Sequence, residues 1–520
     1  MSCNRASRWC WLVRFLDVRD DTHNEFVPVQ TDDKVVLEKR PKHQSEGFPF
    51  IDVMLKMPKV NDVYYIFFLF VLVSLVCLLI TIICKESYCG YKYNKVFSSH
   101  IFHMLVGVLV ALIEYGIYKD DQKYSPMYIT SAALQTFLVP LLFESTFAMY
   151  HMLFFDQLIP ILTFALLTNW ITVHVVSIIN WKLVELLLEW PMTYSQMCSM
   201  VVISNAVHIL AVYSYFPLPS NRPRHKYFYL LLGIHQLQNI TAEGTFEIVL
   251  ALSSFESKNQ APSLSVFYLV LRCLIQHLAS IVVGIIIGLA MVLVSRLMRQ
   301  TNNSCKFFEP YIIVFGLIST YMLCRAYKIN RSFGVVFCSF IQQRYMYCNF
   351  SYDSIRAVKT GIRTIALEVE IVFYVLVGYK IVNIVDLDEF YFSMITMCLL
   401  LVIRALVIIL ISFVMNQTSV GKIGWKLQAL IIFGSLRGPR TVGFILQLSG
   451  KNYDTEFINA QFYMVLFNLF VDATISKYLS HLIREEEPEG VKLPGERIIQ
   501  KFLKCAKRKE EYVYEMLVGY

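Results

Sequence analysis

Long apolar runs separated by short polar stretches set the pattern of this chain. The clearest, Val63 to Cys84, holds 22 residues without a charge, more than the ~20 a helix needs to cross a ~30 Å hydrocarbon core. Further runs centre on residues 97–118, 127–147, 157–181, 196–215, 227–252, 264–295, 309–324, 332–343, 365–385, 390–415, 426–448 and 457–479. Together they predict about 12–13 transmembrane helices. The run 332–343 is too short to cross alone, and 264–295 is too long for one untilted crossing. Both predict broken or re-entrant helices, which a membrane tolerates where protein or water covers the backbone. The expected fold class is an all-α polytopic membrane protein.

Composition points the same way. The 520 residues are 56% hydrophobic and only 17% charged, against about 25% charged in soluble domains. A disordered chain and an ordinary soluble enzyme are both excluded. The net charge of +8 comes with no nucleic-acid-binding motif, and cytosolic loops absorb it. Thirteen cysteines occur without a CxxC pair, so no disulfide framework, zinc site or cofactor follows. The first 60 residues carry no apolar signal core, so the first span itself acts as the insertion signal. The organisation expected is a polar cytosolic arm over 1–60, one transmembrane domain over 61–484, and a short cytosolic tail over 485–520. Lys34, Lys39, Arg40, Lys42, Lys56 and Lys59 hold the arm in the cytosol, and Lys501, Lys504, Lys507, Arg508 and Lys509 do the same for the tail. Both ends on one side require an even number of crossings, with one segment re-entrant or fused.

An ionisable group inside a span costs ~2.5–3.5 kcal/mol on insertion scales, so each is a candidate site. Glu370 opens the run IVFYVLVGY, and Arg437 lies between Gly434 and Gly438 in LIIFGSLRGPRTVGFIL. Glycines on both sides of an arginine let a helix break and a neighbouring backbone approach. Glu370 and Arg437 are therefore expected to pair. Glu144, Glu243, Glu247, Arg325, Arg404 and Asp472 also sit in or beside apolar runs, most of them read as interfacial. His208 and His235 read as hydrogen-bonded packing residues. No GxSxG, HExxH, Walker loop or GxGxxG occurs, so no enzyme is expected. The sequons at Asn302, Asn330, Asn349 and Asn416 indicate a glycoprotein only where their loops face the lumen.

One stretch carries a resemblance. Over residues 308–354, Glu309-Pro310, Tyr321, Gly334, Cys338, Arg344-Tyr345 and Asn349 follow the pattern of the animal sodium/proton exchangers of the monovalent cation:proton antiporter superfamily. Three more blocks resemble that family in order: Glu370 with Phe373 and Gly378, Arg404-Ala405-Leu406, and Phe433-Gly434-Ser435-Leu436-Arg437-Gly438. The resemblance covers roughly 97–485. It implies inverted repeats whose broken helices cross near the midplane, a homodimer in the bilayer, and exchange of a monovalent cation (Na⁺ or K⁺) for H⁺ at a multi-pass protein, of the plasma membrane rather than an endomembrane.

The departures fall where the family does its chemistry. His208, in Ser204-Asn205-Ala206-Val207-His208, stands at the aspartate of the family's SAVDP, and the proline is missing. An ungapped match from Gly233 puts Gln238 and Asn239 on the family's Asn-Asp pair; matching backward from Ser253-Ser254-Phe255 puts Thr241 and Ala242 there. Neither register supplies an aspartate, which leaves Glu243 and Glu247, one helical turn apart, as substitute acids. The ion path is thus expected among His208, Gln238, Asn239, Glu243 and Glu247, with Glu370 and Arg437 as a structural charge pair and Gly434 and Gly438 as helix-break glycines. Two functions remain open: an exchanger with a degenerate ion site, or a transport-inactive structural or regulatory membrane subunit on the same fold.

Overall fold

A computed structural model describes residues 26–31, 34–39, 72–82, 99–117, 139–147, 154, 156–187, 193–207, 212, 226–256, 263–300, 308–346, 349–382, 387–418, 423–434, 439–449, 455–471, 474–476 and 478–479. Among these, strand structure is limited to a hairpin in the N-terminal arm, β1 (Phe26–Thr31) paired antiparallel with β2 (Lys34–Lys39). The rest is helical: α1 (Leu72–Ile82), α2 (Ser99–Ile117) and α3 (Val139–Phe147). Helix α4 begins as Leu158–Leu162, passes through a π-helical turn at Thr163–Leu167, and continues as Thr168–Leu187. Then come α5 (Tyr194–Asn205), α6 (Lys226–Glu256), α7 (Ser263–Gln300), α8 (Glu309–Ala326) and α9 (Arg331–Tyr345). The C-terminal part holds α10 (Tyr352–Ile381), α11 (Leu387–Thr418), α12 (Trp425–Phe433), α13 (Pro439–Ser449) and α14 (Thr455–Phe470).

Apolar surface faces outward and polar groups face inward, the reverse of a water-soluble bundle. Leu274, Leu278, Val282, Ile286, Leu293 and Leu297 form an exposed stripe on α7 at helical spacing, and Val402, Leu406, Ile409, Leu410 and Phe413 form another on α11. Asn169, Asn180, Asn205, Gln238, Arg404, Gln461 and Asn468 are buried. Among the described residues, Leu158–Val184, Val270–Arg299, Asp388–Gln417 and Phe457–Ser476 are long and apolar enough to cross a membrane.

In lipid, helices associate through close packing and small residues. Gly284 and Gly288 lie four residues apart on α7, where added methyl groups would strike the Gly334 carbonyl and Ile341 of α9. Helices α2 and α10 meet through reciprocal glycines: a methyl on Gly107 would hit the Val375 carbonyl, and one on Gly378 would hit the Met104 carbonyl. These two seams hold the backbones in contact.

Two elements differ from the hydropathy reading. The run 264–295 is not interrupted; α7 continues as one helix of 38 residues, and the length is carried by a polar first and last turn. Helix α10 begins at Tyr352, 13 residues before the apolar run at 365. Its first half is amphipathic: Ile355, Val358 and Ile362 are buried while Arg356, Lys359 and Thr364 are not. Averaging hydropathy over a window hides such a face.

Candidate ion site at a helix crossing

Two helices end inside the protein and meet there. Helix α5 starts on a capping box, in which Thr193 Oγ1 accepts from the Gln196 amide at 3.4 Å and Gln196 Oε1 accepts from the Thr193 amide at 2.9 Å. It is buried from Met197 onward and stops at Ala206, whose φ of −68° and ψ of 121° are extended. Helix α12 stops at Phe433, and Gly434 caps it with its N–H on the Leu430 carbonyl at 2.7 Å. The φ of Gly434, −68°, is one any residue adopts. Helix α13 then starts at Pro439, a residue suited to a first helical turn. Thr441 Oγ1 of α13 donates to the Ala206 carbonyl at 3.2 Å, which ties the two breaks together.

Carbonyls at a helix C-terminus have no partner within the helix and carry the negative end of its dipole. Arg404 of α11 answers both ends. Fully buried, it donates from Nη1 to Asn205 Oδ1 at 3.1 Å, and from Nη2 to Gln238 Oε1 at 3.4 Å and the Ile431 carbonyl at 3.3 Å. Asn205 is the last residue of α5 and Ile431 lies in the last turn of α12. The network continues in neutral groups: Asn205 Nδ2 donates to Asn169 Oδ1 at 2.6 Å, and Asn169 Nδ2 to Thr241 Oγ1 at 3.4 Å. Asn169 lies two residues beyond the π-helical turn of α4.

The expected site residues divide into three groups. Gln238 and Asn239 are buried on α6; Gln238 is bonded to Arg404, and Asn239 Oδ1 has no hydrogen-bond partner among the described residues. Thr241 of the alternative register belongs to the same network through Asn169. Glu243 and Glu247 lie on α6 roughly 140° and 180° around the helix from Gln238 at about 100° per residue, while Glu243 shares the face of Asn239 one turn further on. Glu247 is also about 13 Å further along the axis. Its Oε2 accepts from Asn330 Nδ2 at 3.3 Å, and Arg331 is its nearby cation. Asn330 in turn caps α9, with Oδ1 accepting from the amides of Ser332 at 3.1 Å and Phe333 at 3.2 Å. His208, Arg437, Gly438 and Asp472 lie outside the described residues.

Glu370 of α10 is buried against α2, with Oε1 3.2 Å from His100 Nε2. Glu144 of α3 faces Arg363 of α10 at 3.9 Å. Three of the five sequons fall on buried asparagines: Asn239 on α6, Asn330, the α9 cap, and Asn349, whose Nδ2 donates to Ser295 Oγ at 2.9 Å. Arg404, one of six charges of which most were expected at the interface, is buried at the centre of the crossing. The signal lay in its neighbours, since Asn169, Asn205 and Gln238 are amides set within apolar runs.

Comparison with known proteins supplies the context for this geometry. A family model described as "Sodium/hydrogen exchanger, transmembrane" matches residues 76–479. Sodium/hydrogen exchanger 5 of Rattus norvegicus is 22% identical over 389 residues, which span 72% of this chain and 42% of the relative. Na(+)/H(+) exchanger beta of Oncorhynchus mykiss is 24% identical over 243 residues, 46% of this chain and 31% of the relative. The chain thus spans less than half the length of these relatives, whose names describe exchangers rather than enzymes. Among solved structures, the sodium proton antiporter MjNhaP1 of Methanocaldococcus jannaschii superposes with a TM-score of 0.59 at 12% identity, over 82% of this chain and 100% of that one. That likeness carries the fold: an all-α, antiporter-type membrane architecture.

Proposed function

The chain belongs to the transmembrane sodium/hydrogen exchanger family, and from that premise we propose that this integral multi-pass protein is an exchanger-type transporter whose crossing site lacks the acid needed for strong proton coupling. Its substrates are a monovalent cation, Na⁺ or K⁺, and the proton; its place is the plasma membrane, as a homodimer. The observation that supports the degenerate site is the bonding of Arg404 to Asn205 and Gln238.

The reasoning is electrostatic. Electroneutral exchange needs one group that is either ionised and cation-bound or protonated and neutral, so that both loaded forms cross the barrier and the empty anion does not. An amide has no such second state. Gln238 Oε1 and Asn205 Oδ1 are carbonyl oxygens of the kind that coordinate Na⁺, but both already accept from a guanidinium. A cation entering the crossing meets that positive charge in a low dielectric, and the described oxygens bonded there are neutral. Glu243 and Glu247 are the acids nearest in sequence; neither shares the Arg404-bound face of Gln238, and Glu243 lies one turn beyond Asn239.

The same commitment of oxygens to Arg404 favours a second reading. A crossing closed by its own hydrogen bonds suits a transport-inactive structural or regulatory membrane subunit on the antiporter fold. Sodium uptake into proteoliposomes under an outward proton gradient tests both readings. Slow uptake above the empty-vesicle rate is expected for a weak exchanger, and uptake equal to that rate identifies the inactive subunit. Robust electroneutral uptake abolished by Glu243→Gln or Glu247→Gln would refute the degenerate-site reading and establish a relocated carboxylate.

A further inference from the structure

We infer that the seam between α2 and α10 carries a proton-binding site, the buried pair Glu370 and His100, separate from the helix crossing and independent of the function proposed for it. Glu370 Oε1 lies 3.2 Å from His100 Nε2. The two residues are 4% and 7% exposed, so the contact is shielded from bulk water. Tyr374, one turn beyond Glu370, stacks on the His100 ring with centroids 4.5 Å apart and planes 20° from parallel. The reciprocal glycines Gly107 and Gly378 lie on the same two faces and hold the backbones together. The imidazole is thus fixed in plane and distance against the carboxylate.

A second histidine beside it is held neutral by its own bonding. Thr81 Oγ1 donates its single hydrogen to the Cys77 carbonyl at 2.8 Å, so it can only accept from His103 Nε2, 2.9 Å away. The His103 proton therefore sits on Nε2. Its Nδ1 is buried without a hydrogen-bond partner among the described residues, and a proton added there would be a desolvated charge with no acceptor. His103, with its ring centroid 6.1 Å from that of His100, is a neutral wall. Proton uptake falls to the His100–Glu370 pair, where one added proton raises the charge of the pair by one. It comes from solvent and is held as N–H or O–H across Nε2 and Oε1; no other bond changes. When the pair is deprotonated, the N-terminus of α2, whose second residue is His100, favours the carboxylate anion.

From α1, the described ionisable group is Cys77, with Glu368 of α10 acting on it. On α3, Glu144 is engaged with Arg363. On α8, Glu309 accepts from the Ser351 amide and hydroxyl at the start of α10, and Arg325 lies in the last turn. The described side chains of α13 and α14 carry no charge. Arg437 lies outside the described residues; an arginine on the second carboxylate oxygen would leave Oε1 and its imidazole in place. Thr81 near the end of α1 meets His103 near the start of α2, so the pair sits at the membrane side opposite the N-terminal arm. With that arm cytosolic, the proton is drawn from the non-cytosolic side.

The test is infrared difference spectroscopy of the full chain in lipid nanodiscs, acidified from about pH 8 to about pH 5, the range in which imidazole pairs titrate. Acidification should produce a carboxylic-acid or imidazolium band that shifts on labelling with carbon-13 glutamate or nitrogen-15 histidine. Glu370→Gln should abolish it, and His103→Gln should leave it. A band retained in Glu370→Gln, or bands insensitive to both labels, would overturn the proposal. If Glu370→Gln does not fold, His100→Asn decides, since it keeps a polar partner on the carboxylate. The band's midpoint must then move by about one pH unit or more, and an unmoved midpoint overturns the assignment.

Discussion

Replacing Arg404 with methionine should destabilise the fold more than any conservative change at the protein's surface. The substitution keeps an unbranched side chain of similar length but strips the guanidinium from Asn205 Oδ1, Gln238 Oε1 and the Ile431 carbonyl. A buried acceptor left without a donor costs about 1–3 kcal/mol, so three such oxygens set a range of roughly 3–9 kcal/mol. Relaxation and entry of water bring this toward the lower half of that range. The expected loss is therefore ~3–5 kcal/mol, with a smaller loss for Arg404→Lys, which keeps the charge but not the planar fork. Gln238→Met should cost about 1–3 kcal/mol alone, yet return about 1 kcal/mol when added to Arg404→Met, because it removes one of the stranded acceptors. Reversible unfolding in mixed micelles measures all four proteins. An Arg404→Met stability within ~0.5 kcal/mol of the unmodified protein, or strict additivity of the double change, would refute the bonding scheme.

Two further substitutions probe the packing and a cap. Gly378→Ala forces a methyl against the Met104 carbonyl and should cost about 1–3 kcal/mol, whereas Gly361→Ala on the same helix meets nothing within 4 Å and should gain up to ~1 kcal/mol; equal effects at the two sites would contradict the α2–α10 seam. Asn330→Ala removes the α9 cap and the Glu247 hydrogen bond and should cost about 1–2 kcal/mol, while an unchanged stability would mean that Asn330 does not hold these groups.

What could be read from the sequence, and what could not, follows from the physics of each signal. Apolar runs reported α7, α11 and the broken pair α12–α13, because lipid rewards hydrophobicity over a length that a window can measure. The first half of α10 was invisible to the same window, since Arg356, Lys359 and Arg363 cancel the apolar face formed by Ile355, Val358 and Ile362. The sequence pointed to Gln238 and Asn239, which the structure places on α6, and to Gly434, at the end of α12, but not to Arg404. Arg404 sits 27 residues from Ile431, 166 from Gln238 and 199 from Asn205, and no local pattern links such positions. A neighbour of Glu370 shows the same limit. The expected partner Arg437 lies outside the described residues, and His100, 270 residues earlier in the chain, lies beside Glu370 where two glycine-lined helices mate.

The central claim is that the crossing lacks, among the described residues, a carboxylate for strong proton coupling, and equilibrium binding of radioactive sodium addresses it most directly. Purified full-length protein at alkaline pH should retain little more sodium than a no-protein control. The variant Asn239→Asp, which places a carboxylate at a buried oxygen with no hydrogen-bond partner among the described residues, should gain sodium binding that protons displace as the pH falls. Saturable, proton-displaced binding by the unmodified protein would contradict the account.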